Sequence, residues 1–144
     1  MFKLFKKNNS IDNLQNNNEL LSKTTSLLIY AAKIDENYTN KEKEIIKKTL
    51  IELGAKHSET DKIITNAEIN EEKSNQILDF TKEIKNAGNE FKIKIIETLW
   101  SIIYSNNEAD MYEASLMRRL SGLLYIDNKT MGAIKEKIKK NLTQ

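Results

Sequence analysis

One short pattern occurs twice in this chain, and the spacing of its copies constrains the fold more than any other feature. The first copy runs Asp35-Glu36-Asn37-Tyr38-Thr39-Asn40-Lys41-Glu42 and the second Asn106-Asn107-Glu108-Ala109-Asp110-Met111-Tyr112-Glu113. Asn106 follows Asp35, Asp110 follows Thr39 and Glu113 follows Glu42 by the same 71 residues (106 − 35). Each copy ends one apolar helix-like run and opens another. A repeat of this kind predicts two supersecondary units that bury their apolar faces against each other. It also sets oxygen-bearing side chains into two equivalent loops.

The helical reading follows from what the chain lacks. Proline is absent and only 4 glycines occur in 144 residues, so little interrupts a helix. One domain of this length buries a full core without staples. Cysteine is absent, which excludes disulfides, thiolate zinc sites and a cysteine nucleophile. Net charge is +2, with basic and acidic residues interspersed, so nucleic acid is not an expected partner. No apolar run reaches the ~18 residues that span a bilayer. Met1–Lys7 lacks the apolar core of a secretory signal. A cytoplasmic protein is expected.

Along the chain, residues 1–18 read as a flexible tail and asparagine-rich linker, with the helical domain covering 19–144. Helix A is predicted over about 19–34, with Leu20, Leu21, Thr24, Leu27, Leu28 and Ala31 on one face. Helix B starts at a Thr39 cap and reaches Leu53, with Gly54 closing it in the left-handed conformation. Ser58 is the expected cap of a short helix C, and Asn70 that of helix D, about 71–87, with Ile77, Leu78, Phe80 and Ile84 apolar. Helix E covers about 90–104 and carries Trp100 as a core residue. Helix F runs from Asp110 to Leu124, and helix G from Asp127 or Asn128 to Lys140. The fold class is all-α, about seven helices in a bundle with a pseudo-twofold repeat of helix hairpins.

Each loop has two compatible readings. In the first it is a helix start: Thr39-x-x-Glu42 and Asp110-x-x-Glu113 are capping boxes, each worth roughly 1 kcal/mol. Tyr38 precedes the first cap as a hydrophobic staple. In the second reading the loops hold a hard divalent cation, calcium or magnesium ahead of zinc, which needs several oxygens from a short segment. The ligand set is then Asp35, Asn37, Thr39 and Glu42 with Asn106, Glu108, Asp110 and Glu113. An EF-hand is excluded: the sixth and twelfth positions hold Asn40 and Ile46 in loop one, and Met111 and Met117 in loop two.

The run Leu27-Leu28-Ile29-Tyr30-Ala31-Ala32-Lys33-Ile34-Asp35, followed by Glu42, resembles the first half of the tellurite-resistance TerB family pattern. Leu99-Trp100-Ser101-Ile102-Ile103-Tyr104-Ser105-Asn106 with Glu113 to Leu124, including Arg118-Arg119, is similar to its second half. The resemblance covers roughly 19–140. It implies a pseudo-twofold all-α bundle, acidic loop residues proposed as metal ligands, and a link to tellurite and other stress resistance at the bacterial inner membrane. Asp35, Glu42 and Glu113 match the family's carboxylates. Glu36 and Asn107 stand where the family has glycine, and Asn106 where it has aspartate, which implies weaker binding at loop two.

The remaining residues carry less. His57 reads as a surface imidazole. Arg118 and Arg119 read as a solvated face or as contacts to a partner's anion. Phe2 and Phe5, with Leu4 and lysines around them, are candidates for touching an acidic membrane surface. No nucleophile–base set is visible. The expected function is therefore a non-catalytic interaction or scaffold module with a protein partner, no small-molecule substrate, and a divalent cation at the loops. A metal-dependent enzyme and a purely structural bundle are the alternatives.

Overall fold

Nothing between Phe2 and Ile34 stops a helix, since the segment has no glycine or proline. In the computed structural model of the chain, one helix, α1, covers Phe2–Ile34. The structure describes residues 2–34, 38–74, 76–105 and 111–142, with the side chains of these described from residue 18 onward except at 111–113 and 142. The helix backbone thus begins well before Glu19, and stretch 8–18, read above as a linker, is helical. Asparagine disfavours helix by only about 0.7 kcal/mol per residue against alanine.

Six further helices follow: α2 (Asn40–Glu52), α3 (Thr60–Lys73), α4 (Ile77–Ile84), α5 (Asn89–Tyr104), α6 (Met111–Leu123) and α7 (Asn128–Leu142). A 3-10 turn, His57–Glu59, precedes α3. No strand occurs among the described residues.

α1 is the axis of the core. Thr24, Thr25, Ser26, Leu27, Leu28 and Ile29 are consecutive, and each is at most 1% exposed. A one-sided apolar face was the expectation, but this segment is enclosed on every side. α3, α4, α5, α2 and α6 all pack on it. Three hydroxyl side chains are tolerated there largely because two have partners: Thr25 Oγ1 donates to the Leu21 carbonyl at 2.7 Å, and Ser26 Oγ to the Ala67 carbonyl on α3 at 3.1 Å. Outer helices contribute Ile46 and Leu50, Ile64, Phe80 and Ile84, Ile95, Leu99 and Trp100, Leu120, and Met131, Ile134 and Ile138. Trp100 is buried as expected and stacks on Tyr104 with centroids 5.8 Å apart.

The middle of the chain departs from its sequence reading. α3 continues through Asn70 to Lys73, so Asn70 does not cap a helix. Glu71 explains why: it is buried and accepts from Lys33 Nζ of α1 at 2.7 Å, which holds this turn against the core. The break falls at Ser74, whose hydroxyl bonds the Asp79 carboxylate in the first turn of α4. Ser58 lies within the 3-10 turn and does not cap α3; Glu59 occupies the cap position. Leu78 is 51% exposed, although the sequence reading put it with the apolar residues of its helix.

Two helix ends are closed by the same pair of bonds. At α2, Gly54 N–H donates to the Ile51 carbonyl and Ala55 N–H to the Leu50 carbonyl, at 3.0 and 2.9 Å. At α6, Tyr125 N–H donates to the Gly122 carbonyl and Ile126 N–H to that of Ser121, at 3.3 and 2.9 Å. Both are Schellman motifs. Gly54 has φ +109° and Tyr125 has φ 58°, so a side chain is carried in the left-handed region at Tyr125. That conformation disfavours an L-residue by roughly 1–2 kcal/mol. A Cβ on Gly54 would meet nothing within 4 Å, so its cost is conformational alone. Gly54→Ala is therefore expected to lose about 1 kcal/mol in urea denaturation. Tyr125→Gly is expected to gain about 0.5 kcal/mol, the strain relieved being partly offset by loss of the ring over Lys92. Midpoint shifts of the same sign in both variants would show that φ does not govern them.

Candidate functional site

The first capping box forms as predicted, with Thr39 as the N-cap of α2. Thr39 N–H donates to Glu42 Oε2 at 2.9 Å, and the Thr39 hydroxyl bonds the same oxygen. The other oxygen is also taken. Ser105 Oγ, at the C-terminal end of α5, donates to Glu42 Oε1 at 2.9 Å. Glu42 is 1% exposed. Burial alone would raise its pKa. Bonds from the Thr39 hydroxyl, the Ser105 hydroxyl and the Thr39 backbone outweigh it and hold the carboxyl below its ordinary range. Lys41 Nζ reinforces the junction by donating to the Ser105 carbonyl at 2.7 Å.

Neither Ser105 nor Lys41 emerged from the sequence. Ser105 precedes the second copy of the pattern by one residue, and its counterpart 71 residues earlier is Ile34 (105 − 71). The repeat therefore gives no hint of it. Only the approach of α2 to α5 brings the hydroxyl to Glu42.

Tyr38 is fixed differently from the expected hydrophobic staple. Its ring lies under the ammonium of Lys43 at 5.1 Å and near that of Lys33 at 6.0 Å. The staple between the residue before the cap and the fourth helical residue is thus a cation–π contact. Lys33 pairs with Glu71, and Lys43 with Glu68 at 3.7 Å, both acids on α3. Burial, then Glu68 and Glu71, push the Tyr38 hydroxyl far above its ordinary pKa, so it stays protonated. Lys33 and Tyr38, on either side of segment 35–37, are anchored through this group to one helix.

Of the sequence-derived cation ligands, Thr39 and Glu42 are thereby placed together. Asp35, Asn37, Asn106, Glu108 and Asp110 lie outside the described residues, and Glu113 is in the first turn of α6 with its side chain outside them. Among the described residues no three His, Cys, Asp or Glu side chains form a group fit for a metal. The Glu42 carboxylate fits its capping task fully, since both oxygens already accept. Arg118 and Arg119 are exposed on α6, and Phe2 and Phe5 lie at the start of α1 with their side chains outside the described residues. His57 is exposed in the 3-10 turn.

Comparison with known proteins gives one family. The model of the family described as tellurite resistance protein TerB matches residues 22–136. No curated protein and no solved structure matches.

Proposed function

This chain belongs to the tellurite resistance protein TerB family, and from that premise we propose that it serves a tellurite-resistance-related role as a non-catalytic interaction module whose acidic loops take up a divalent cation. The observation that carries the reading is the Glu42–Ser105 bond. It joins the start of α2 to the end of α5, so the segments holding Asp35 and Asn37, and Asn106, Glu108 and Asp110, leave from adjoining helix ends. Several hard oxygens brought close together are what calcium or magnesium requires. Loop one, with Asp35, is the stronger half, and loop two, beginning at Asn106, the weaker.

Within this reading the two helix hairpins are copies of one unit. The shared closure of α2 and α6, at Gly54 and Tyr125, supports it, because these residues are also 71 apart (125 − 54). The domain begins near residue 19, and the first buried side chain among those described is Leu21. The module works in the cytoplasm and meets a protein partner at the inner membrane, with Phe2, Phe5, Arg118 and Arg119 as contacts. No described helix is long and apolar enough to cross a membrane. A second reading, in which the loops only cap helices, is favoured by the three donors that the two Glu42 oxygens already accept.

Calorimetric titration decides between them. Calcium or magnesium is expected to bind wild type well below millimolar concentration, with binding lost in Asp35→Ala; manganese and zinc serve as comparisons. If no ion binds below the millimolar range, the loops are caps and the cation reading fails.

A further inference from the structure

A groove of about 470 Å³ lies between α2 and α5. Its α2 wall carries Lys41, Ile45, Lys48 and Thr49, and its α5 wall includes Lys94, Thr98 and Tyr104. The floor is internally satisfied. Thr49 and Thr98 hydroxyls bond each other at 2.9 Å, and Thr98 Oγ1 also donates to the Lys94 carbonyl at 2.9 Å. The Thr49 and Thr98 hydroxyls therefore need no partner from a bound molecule.

Its charges are unequal. Lys94 is neutralised by Glu52, and Glu97 by Lys137 at 3.7 Å from outside the groove. Lys41 and Lys48 are exposed, line the groove, and have no carboxylate partner among the described residues. Lys41 donates only to the neutral Ser105 carbonyl. The two lysines lie seven residues apart on one helix, so their attachment points are about 10.5 Å apart along its axis. Ile45 lies between them and Tyr104 across from them.

We propose that this groove docks an acidic amphipathic helix of a protein partner, with glutamates at i and i+7 facing Lys41 and Lys48 and apolar residues at i+3 and i+4 over Ile45 and Tyr104. A helix laid along α2 repeats the lysine spacing, and helix-in-groove recognition reads that kind of pattern. Complementary charge at the rim steers and registers such a partner. The inference rests on the interaction-module reading and gives that module a surface. It is independent of the loops' cation.

The probe is a fluorescein-labelled helical peptide with Glu at i and i+7 and Leu at i+3 and i+4, followed by anisotropy at low salt in EDTA. EDTA removes any cation, so failure here is distinct from failure of the metal titration. Lys48→Glu is the variant of choice, because Lys48 makes no ion pair among the described residues whose loss could disturb the fold. Binding to Lys48→Glu is expected to be roughly fivefold weaker. A peptide with Lys in place of the glutamate facing position 48 is expected to bind Lys48→Glu better than it binds wild type. Equal affinity of the acidic peptide for both proteins, or equal binding of a peptide with glutamines in place of the glutamates, would overturn the proposal. So would competition by a short DNA duplex as effective as that by unlabelled peptide, since the groove would then be a general anion surface.

Discussion

Glu42→Ala is expected to lower the free energy of unfolding by roughly 2–4 kcal/mol, a large loss for one side chain. Three donors converge on this carboxylate, two from Thr39 and one from Ser105. Bonds to a charged acceptor contribute about 1.5–3 kcal/mol each, but they do not add here. Thr39 is exposed, so its N–H regains water. The Ser105 hydroxyl can turn to the Ile102 carbonyl, 2.6 Å away. Glu42→Gln is expected to cost only about 1 kcal/mol, because one amide oxygen still accepts from Thr39 and Ser105 can accept from the amide nitrogen. Urea denaturation of both variants measures the order. If alanine and glutamine cost the same, the bond to Ser105 contributes nothing.

The same carboxylate carries a pH signature. Its folded-state pKa lies below the ordinary 4.5. Between the two values the unfolded chain binds more protons, so stability rises with pH there. The stabilisation is complete above pH 4.5 and is lost as pH falls through the depressed folded value. The stability gap between wild type and Glu42→Gln is therefore constant near neutrality and closes in acid below that point. Glu83 shifts upward through burial and a bond with Glu19. Asp127 shifts downward through its bonds with Thr130. Both are present in the two proteins and cancel in the difference.

How much of this was readable in the sequence depends on the distance over which each feature is decided. Thr39, Gly54 and Asp127 act within one turn of their own helix, and each is found where its chemistry predicts: at a cap, at a left-handed closure, and at a cap whose Oδ1 accepts from Thr130 N–H at 2.6 Å. Asn70 is also a good cap by local chemistry, yet it lies inside α3. The pairing of Glu71 with Lys33, 38 residues away, prevails over it. α1 looked one-sided because Thr25 and Ser26 are polar, but their hydroxyls donate to carbonyls and are enclosed. At the candidate site Glu42 was legible as a cap. Its tie to Ser105 spans 63 residues and exists only once α2 and α5 are packed. Local codes thus gave both ends of α2 and the start of α7, and tertiary contacts decided the other breaks, which faces close and which residues meet.

α4 offers a direct measure of that tertiary decision. Leu78 and Phe80 are two apolar residues on one short helix, and the sequence reading grouped them together as its apolar residues. Phe80 is 1% exposed and Leu78 51%. Phe80 lies against α1, its ring 6.3 Å from that of Tyr30 at an interplanar angle of 56°. Truncating a fully buried phenylalanine removes its transfer free energy and leaves a cavity, at a cost of about 3–5 kcal/mol. The cost here belongs at the upper end, because Ile77 and Ile84 beside it are also buried and α4 has only 8 residues with which to readjust. Leu78→Ala leaves no cavity and removes area that water already reaches, so about 0.5 kcal/mol or less is expected. Thermal or urea denaturation of the two variants should therefore differ several-fold in effect. A Leu78→Ala loss comparable to that of Phe80→Ala would mean that Leu78 is covered in solution, and that α4 presents its outer face to another molecule.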